Sequence, residues 1–373
     1  MNSLKSAKCF IFKLTMNFRL PGPTALHPHV LAAMQKSMID HRGAESVRMV
    51  RRLVALYQQI LGTTQDVYMM TSSGWGGVES LLVNTIAAGD RVLNVSAGFF
   101  GEKFGTMAQA FGAEVESLRF ADGYIIEAQA VAAKLRSMSD VKAVLLTQNE
   151  SYTGVLHPLG EIARAIRENS DALILVDAVS ASGATETRMD EWGIDGLATA
   201  SQKALMGPPG MGIFAVSERA WQAYARTKTP RVYFDWGPYK EHLNMGTVPS
   251  TAALPVLYAL NAAADLIEAE GLANVYARHE RIAAFTRACV AKMGLKVLSQ
   301  PNAHSPALTA VLMPEGVNGD KVRATMNEMD VAVGGSWGRL QGKIIRIGHM
   351  GAVTEADIDD AMEVLGDAIA KNR

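Results

Sequence analysis

The stretch ALILVDAVSASGATETRMDEWGIDGLATASQKALMGPPGMGIFAV, residues 172–216, decides the fold. It contains three short apolar runs, Ala172–Val176, Gly196–Thr199 and Gly212–Val216, with polar and turn-forming residues between them. Runs without polar alternation are typical of strands that are covered on both faces. The stretch therefore predicts the centre of a buried β-sheet.

The same pattern continues upstream of this stretch. Apolar runs at Val67–Met70, Arg91–Val95 and Val141–Leu146 predict further strands. Helix-length amphipathic segments such as Glu127–Ser137 and Leu159–Glu168 separate several of them. Strands that alternate with helices indicate an α/β fold with a large, mixed but mostly parallel sheet.

The pattern changes near Pro255, where helices become dominant. The last helix is predicted to begin with a capping pair, Thr354 and Asp357. We therefore expect a large domain with an N-terminal arm over residues 16–254 and a smaller α+β domain over residues 255–373.

Residues 1–15, MNSLKSAKCFIFKLT, carry three lysines and no acidic residue. The apolar run Cys9–Phe12 is too short for a signal sequence. We expect a disordered extension ahead of the folded chain, and a targeting segment is the alternative.

Composition argues against several classes of partner. The 36 basic and 37 acidic residues form no long charged run, so we expect neither nucleic acid nor an anionic membrane surface as a partner. No apolar run approaches the roughly 18 to 20 residues of a membrane span.

The two cysteines suit a reducing compartment, which predicts a cytoplasmic protein. The eight histidines lack metal-ligand spacing, so we predict no catalytic metal.

Ligands of open α/β sheets bind beyond the carboxyl ends of the strands, so residues that follow the apolar runs are candidate site residues. Asp177 ends one run, and a buried carboxylate there needs a positive partner such as a protonated pyridine nitrogen. A helix cap or turn aspartate is the alternative. Lys203 follows the next run, where burial would lower its pKa and make the amine a nucleophile. A lysine that extends to the surface is the alternative.

Two further segments follow predicted strands. The small residues of Thr71–Gly77 lead into a predicted helix, whose N-terminus would bind a phosphate, with a plain turn as the alternative. The polar cluster Thr147–Gly154 would line the same cleft. Gly334–Gly338 formally matches the G-x-S-x-G motif of serine hydrolases but lacks its strand–turn–helix context, so we do not interpret it as a nucleophile.

Taken together, five blocks of sequence resemble the class V pyridoxal-phosphate-dependent aminotransferases, within them the alanine/serine–glyoxylate (or pyruvate) branch. The blocks are SGWG (73–76), NESYTGV (149–155), VDAVS (176–180), SQKAL (201–205) and IRIG (345–348). The resemblance runs from Pro21 to Gly351. It implies the fold type I architecture of aspartate aminotransferase, pyridoxal 5'-phosphate as cofactor, amino acid and 2-oxo acid substrates, and a homodimer.

The resemblance also implies a role for individual residues. Lys203 would form a Schiff base with the cofactor, and Asp177 would pair with its ring nitrogen. Arg346 would bind the substrate carboxylate, for which its planar fork is suited. Thr247 would reach the phosphate from the other subunit. The remaining implied contacts are Ser73, Gly74, Trp75 and Gln202 around the phosphate, Phe100 stacked on the ring, Ser151 at the ring edge, and Val179 on the face opposite Phe100.

Two positions depart from the family pattern. Asn244 stands where relatives commonly offer an aromatic hydroxyl to the phosphate, so the contact between subunits would differ. Ala200 replaces a glycine, which is tolerated if the backbone φ is negative there.

The sequence motifs supply only one cationic residue that would bind a substrate carboxylate, namely Arg346. This favours alanine, serine or glycine as donor and glyoxylate or pyruvate as acceptor. The alternatives are an aminotransferase with an unusual donor such as pyridoxamine or ureidoglycine, a lyase or cysteine desulfurase, and a non-catalytic protein that keeps the fold. The predicted phosphate site at Thr71–Gly77 argues against free pyridoxamine as donor. The positions of Cys9 and Cys289 argue against a desulfurase. The presence of Lys203 argues against a non-catalytic protein.

Overall fold

A computed structural model describes residues 16–373, so the predicted extension over residues 1–15 lies outside the described residues. Strands and helices alternate along the described chain. The strands are β1 (Asn17–Arg19), β2 (Val67–Thr71), β3 (Arg91–Ser96), β4 (Glu114–Arg119), β5 (Val141–Thr147), β6 (Asn149–Glu150), β7 (Val155–Leu156), β8 (Leu173–Asp177), β9 (Gly196–Ala200), β10 (Met211–Val216), β11 (Lys296–Val297), β12 (Leu308–Leu312), β13 (Val331–Val333) and β14 (Ile344–Gly348). The helices are α1 (Pro28–Ala33), α2 (Ala44–Leu61), α3 (Gly74–Thr85), α4 (Phe99–Ala110), α5 (Ala128–Arg136), α6 (Leu159–Asn169), α7 (Glu218–Arg226), α8 (Trp236–Asn244), α9 (Leu254–Glu270), α10 (Leu272–Lys292), α11 (Gly319–Glu328) and α12 (Glu355–Lys371), with a short 3-10 helix at Gly338–Leu340.

Seven strands form the central sheet in the spatial order β2-β10-β9-β8-β5-β3-β4. Neighbouring strands are parallel except at β10, which runs antiparallel to β2 and β9. This confirms the predicted α/β fold with a mixed, mostly parallel sheet. The apolar runs do not predict β4, because this edge strand has the sequence EVESLR with exposed polar positions.

Alternate residues of each central strand face two different apolar cores. In β8, Ile174 and Val176 belong to one core, which helices α2, α5, α6 and α9 complete. Leu173 and Leu175 belong to the other, which α3, α4, α7 and α8 complete. Both faces of the sheet are therefore covered, which explains the lack of polar alternation in these strands.

A second structural unit follows the central sheet. Strands β11, β12 and β14 form an antiparallel sheet, and residues of α10, α11 and α12 pack in a third core. The predicted capping pair is confirmed, since Thr354 and Asp357 form a reciprocal capping box at the start of α12. The predicted boundary at residue 255 stays a prediction. Helix α9 packs on α1 and α2, and the change from the first core to the third lies within α10.

The N-terminal segment connects the two parts of the molecule. Strand β1 pairs in parallel with β13, and the chain then continues through Pro21 and Gly22 toward the ends of the central strands. Within residues 16–373, no helix is long and apolar enough to cross a membrane.

Candidate active site

A cavity of about 180 Å³ lies at the carboxyl ends of the central strands. It is lined by Ser73, Gly74, Trp75, Val78, Phe100, Asn149, Ser151, Asp177, Val179, Ser180, Gln202 and Lys203. We call it the cofactor cavity. It brings together every predicted cofactor residue except Thr247. It also contains Asn149, a member of the predicted polar cluster Thr147–Gly154, and it adds Val78 and Ser180, which the sequence did not single out.

Asp177 is the last residue of β8 and is 5% exposed. Its Oδ1 accepts a hydrogen bond from the Val179 N–H at 2.9 Å. Burial raises the pKa of Asp177 to about 6, against the lowering effects of this hydrogen bond and of Lys203. The ionised carboxylate is therefore costly in this cavity, and a cationic ligand beside it would offset that cost.

Lys203 follows β9, the neighbour of β8 in the sheet, and its Nζ donates a hydrogen bond to the Pro21 carbonyl. The pKa of Lys203 is lowered to about 8, first by desolvation in the surrounding protein and then by the charge of Arg346, against the raising effect of Asp177. Gly22 lies against the same side chain, since a Cβ at this glycine would be 2.6 Å from Lys203 Cδ. The N-terminal segment thus covers the lysine, and its amine is readily deprotonated near neutral pH.

The turn before α3 forms one end of the cofactor cavity. Helix α3 begins at Gly74, with Ser73 as N-cap, and among the described residues no side chain caps it. A Cβ on Gly74 would lie 2.9 Å from Val179 Cγ2 and 3.0 Å from Ala200 Cβ, so this end of the helix packs closely against residues that follow β8 and end β9. Free N–H groups at this terminus can bind an anion. Ala200 itself has strand conformation, so its replacement of glycine carries no backbone strain.

Aromatic side chains form part of the wall of this cavity. The rings of Trp75 and Phe100 stack with centroids 5.9 Å apart and an interplanar angle of 25°. Ser151 on the polar side donates to Ser180 Oγ at 2.6 Å, and Asn149 Nδ2 donates to the same oxygen at 2.9 Å. A flat, polar ring could be held between these surfaces.

A second cavity, of about 430 Å³, adjoins the first and shares Phe100, Ser151 and Lys203 with it. We call it the donor cavity. Its other lining residues are Leu20, Pro21, Gly22, Asp320, Arg323, Val333, Gly334, Gly335, Ser336, Trp337 and Arg346. Arg323 and Trp337 are residues that the sequence did not identify, because each lies far along the chain from the strand ends of the central sheet.

Arg346 of β14 is held rigidly in the donor cavity. Its Nε donates to the Gly335 carbonyl and its Nη1 to the Ser151 carbonyl, both at 2.8 Å. Its Cζ lies 5.0 Å from the centroid of the Trp337 ring, a cation–π contact. Burial lowers the pKa of Arg346 to about 10, while Glu150 and Tyr152 raise it. With Nε and one Nη1 hydrogen engaged, the end of the guanidinium stays available for a carboxylate.

Two predicted features lie away from both cavities in the single chain. Thr247 is buried after α8, where its Oγ1 donates to the His242 carbonyl at 3.2 Å, and the exposed Asn244 ends the same helix. Cys289 is buried in α10 beside Asp359, and Cys9 lies outside the described residues. The contact of Thr247 with a second subunit remains a prediction.

Comparisons with known proteins agree with this geometry. The family model of the class-V aminotransferases matches residues 18–360. The chain is 37% identical to the soluble hydrogenase 42 kDa subunit of Anabaena cylindrica, over 91% of this chain and 89% of that protein. It is 35% identical to the L-aspartate–glyoxylate aminotransferase of Paracoccus denitrificans, over 94% of this chain and 89% of that protein.

Among solved structures, the alanine–glyoxylate aminotransferase of Nostoc sp. matches with a TM-score of 0.91 and 28% identity, covering 99% of this chain and 97% of that one. The sequence blocks, the cavity and the family match all indicate the same class of enzyme, and the chain belongs to the class V aminotransferases.

Proposed function

We propose that the chain transfers the amino group of a small amino acid, namely alanine, serine or glycine, to glyoxylate or pyruvate, with pyridoxal 5'-phosphate in the cofactor cavity. One observation carries the proposal: Lys203, Asp177 and the open N-terminus of α3 line a single cavity, and Arg346 lies in the cavity next to it. Two relatives named above are aminotransferases that use glyoxylate, which supports the choice of acceptor.

The residues of the cofactor cavity fit pyridoxal phosphate. The uncapped turn of α3 suits the phosphate, and the buried Asp177 carboxylate suits a protonated pyridine nitrogen. Gln202 Oε1 and Asn149 Oδ1 are buried, and neither has a hydrogen-bond partner among the described residues. A polar ligand in this cavity would satisfy such orphaned acceptors.

When bound, the cofactor supplies an electrophilic aldehyde and a ring that withdraws electrons from the substrate α-carbon. Lys203 would hold this aldehyde through its amine, and the same amine would move the proton at the substrate α-carbon. Its lowered pKa, about 8, leaves a useful fraction of the amine unprotonated at neutral pH. Asp177 would pair with the ring nitrogen and favour its protonated form. Arg346 would orient the substrate through its α-carboxylate, beside the Phe100 and Trp337 rings that line the same cavity.

A second donor class is favoured by one specific observation. Arg323 is exposed and lines the donor cavity together with Arg346, so a dicarboxylic amino acid would find a second cation there. Asp320, which lines the same part of the cavity, would oppose a second carboxylate. We therefore keep the small donors as the main proposal.

A donor screen tests this choice. We expect higher kcat/KM for alanine, serine or glycine than for aspartate, with glyoxylate and pyruvate as acceptors, and little change in this ranking when Arg323 is replaced by glutamine. Equal rates with aspartate, lost in Arg323→Gln, would establish the dicarboxylic donor instead. No transamination with any of these donors would overturn the proposal.

The proposal includes a homodimer in which Thr247 approaches the phosphate of the partner subunit, and a cytoplasmic location. Sedimentation of the purified protein tests the first, since a monomer at micromolar concentration would contradict it. Cell fractionation tests the second.

A further inference from the structure

Glu150 is a fully buried carboxylate, and the next residue, Ser151, lines both cavities. It lies in β6, directly before Ser151, and the roles discussed so far assign nothing to it. A buried carboxylate that contacts no cationic side chain needs hydrogen bonds to offset the free-energy cost of its burial.

The two carboxylate oxygens of Glu150 bind two different elements. Its Oε1 accepts the Tyr152 N–H at 3.0 Å within its own turn, and its Oε2 accepts the Gly101 N–H at 3.1 Å in the first turn of α4. Phe100, whose ring lines both cavities, is the neighbour of Gly101 in that turn. One side chain therefore connects the 150–152 turn to the N-terminus of the helix that carries Phe100.

The packing at Gly98 shows how close this connection is. Gly98 is the N-cap of α4, and a Cβ on it would lie 2.5 Å from Glu150 Cδ. Real Cβ atoms do not make contacts this short, so the Glu150 carboxyl occupies the space that glycine leaves open.

The same turn holds Arg346 on its other side. The Ser151 carbonyl accepts a hydrogen bond from Arg346 Nη1 at 2.8 Å. Tyr152 Oη donates to the Trp337 carbonyl at 2.6 Å, and the Trp337 ring lies over the Arg346 guanidinium. Glu150 also favours the charged form of Arg346, because it raises the pKa of this arginine while burial lowers it.

We propose that Glu150 is a positioning residue that fixes the Phe100 ring and the Arg346 guanidinium relative to each other. The cofactor beside Phe100 and the donor bound by Arg346 would then keep a fixed relative position. Through Gly101 it sets the position of α4 and Phe100, and through the 150–152 turn it sets the carbonyl that orients Arg346. The inference rests on the proposed function.

Glu150→Gln is the informative substitution because it keeps the shape of the side chain. The amide retains one acceptor oxygen, but its NH₂ group would face one of the two N–H donors, so one of the two connections is lost. The negative charge near Arg346 is lost as well. We expect a rise of about tenfold in the donor KM and of about fivefold in the Kd of pyridoxal phosphate, the size expected for one charged hydrogen bond.

The test compares Glu150→Gln with Glu102→Gln at pH 8. Glu102 lies in α4, the helix that Glu150 contacts, and forms exposed ion pairs with Arg119 and Arg339, so its variant makes the same chemical change outside both cavities. The readouts are the Kd of pyridoxal phosphate from tryptophan quenching on the apoprotein, the visible circular dichroism of the bound cofactor, and donor KM against kcat. We expect only Glu150→Gln to change all three.

Gly98→Ala tests the same connection from the helix side without any change in charge, because the added Cβ must displace the Glu150 carboxyl. It should raise Kd and KM in the same direction as Glu150→Gln, and it decides the matter if Glu150→Gln does not fold. If the folded variants match Glu102→Gln in Kd, dichroism and KM, the positioning role is wrong, even if their melting temperatures fall. If the wild type itself binds no pyridoxal phosphate, the proposed function is what fails.

Discussion

The two cavities that meet at Lys203 are built in different ways. The cofactor cavity is formed by residues that follow β2, β3, β5, β8 and β9, all strands of one sheet. The donor cavity combines the N-terminal segment, the start of α11, the loop after β13 and strand β14. The cofactor cavity therefore depends on a single sheet. The donor cavity forms only where segments that are distant in the sequence pack together.

This difference assigns separate tasks to the two cavities. Changes in the cofactor cavity should affect the chemical step, and changes in the donor cavity should affect the binding of substrates while leaving the cofactor in place. The following substitutions test that separation.

The largest effect is expected for Asp177→Asn. The amide is neutral and cannot stabilise a protonated ring nitrogen, so a buried charge pair is lost, which costs about 3 to 5 kcal/mol. We expect kcat to fall by about 10²- to 10⁴-fold. Asp171→Asn is the matched control, because Asp171 is exposed just before the other end of β8. A fall of less than about threefold in Asp177→Asn would contradict a role at the ring nitrogen.

Arg346→Gln should act mainly on the binding of substrates, with a smaller effect through the pKa of Lys203, which Arg346 lowers. Loss of a bidentate charge-assisted contact is expected to lower kcat/KM by about 10- to 100-fold for donor and acceptor. The Kd of pyridoxal phosphate should stay within about twofold of the wild type. Steady-state kinetics and cofactor titration measure the two effects, with the exposed Arg339→Gln as control. A large loss of cofactor affinity would show that the two cavities are not separable in this way.

Glu150 should give the apoprotein a characteristic pH dependence of stability. Burial raises the pKa of Glu150 from 4.5 to about 7, so between these values the native chain retains a proton that the unfolded chain has lost. Through this group the free energy of unfolding falls as pH rises from about 4.5 to about 7.

Glu150→Gln removes this titration, so denaturant unfolding at pH 5 and pH 8 isolates it. We expect the free energy of unfolding of the wild type, relative to the variant, to fall by about 2 kcal/mol between these pH values. A difference that is independent of pH would contradict the raised pKa.

The smallest effect is expected for Trp337→Phe. The backbone carbonyl that Tyr152 binds is retained, but the cation–π contact with Arg346 weakens by about 0.5 to 1 kcal/mol. Donor KM should rise about two- to fivefold without a change in cofactor Kd. Trp221→Phe, in α7 and in contact with Lys240, is the control because Trp221 lines neither cavity. An unchanged KM would remove Trp337 from the account of donor binding.

Most residues of the cofactor cavity were predictable from the sequence because they directly follow apolar runs that form strands. Asp177 and Lys203 each follow an apolar run, and parallel strands bring such residues to one edge of the sheet. The family resemblance then added Phe100, Ser151 and Gln202, which also line the cavity.

The donor cavity was predictable only at Arg346, and only through resemblance. The Pro21 carbonyl that binds Lys203 lies 182 residues away in the chain, and Arg323 belongs to a helix with no motif. Glu150 appeared as one member of a polar cluster. A glutamate in the sequence gives no sign that its side chain is buried. Glu150 is buried because the β6–β7 hairpin directs its carboxylate toward the start of α4.

The most direct test of the central claim is to locate the cofactor on the chain. Wild-type protein incubated with pyridoxal 5'-phosphate is reduced with borohydride, digested and analysed by mass spectrometry, in parallel with Lys203→Ala. We predict a visible absorbance band that reduction abolishes, a single phosphopyridoxyl adduct on Lys203, and neither band nor adduct in the variant. A band that persists in Lys203→Ala, or an adduct on another lysine of the wild type, would contradict the account.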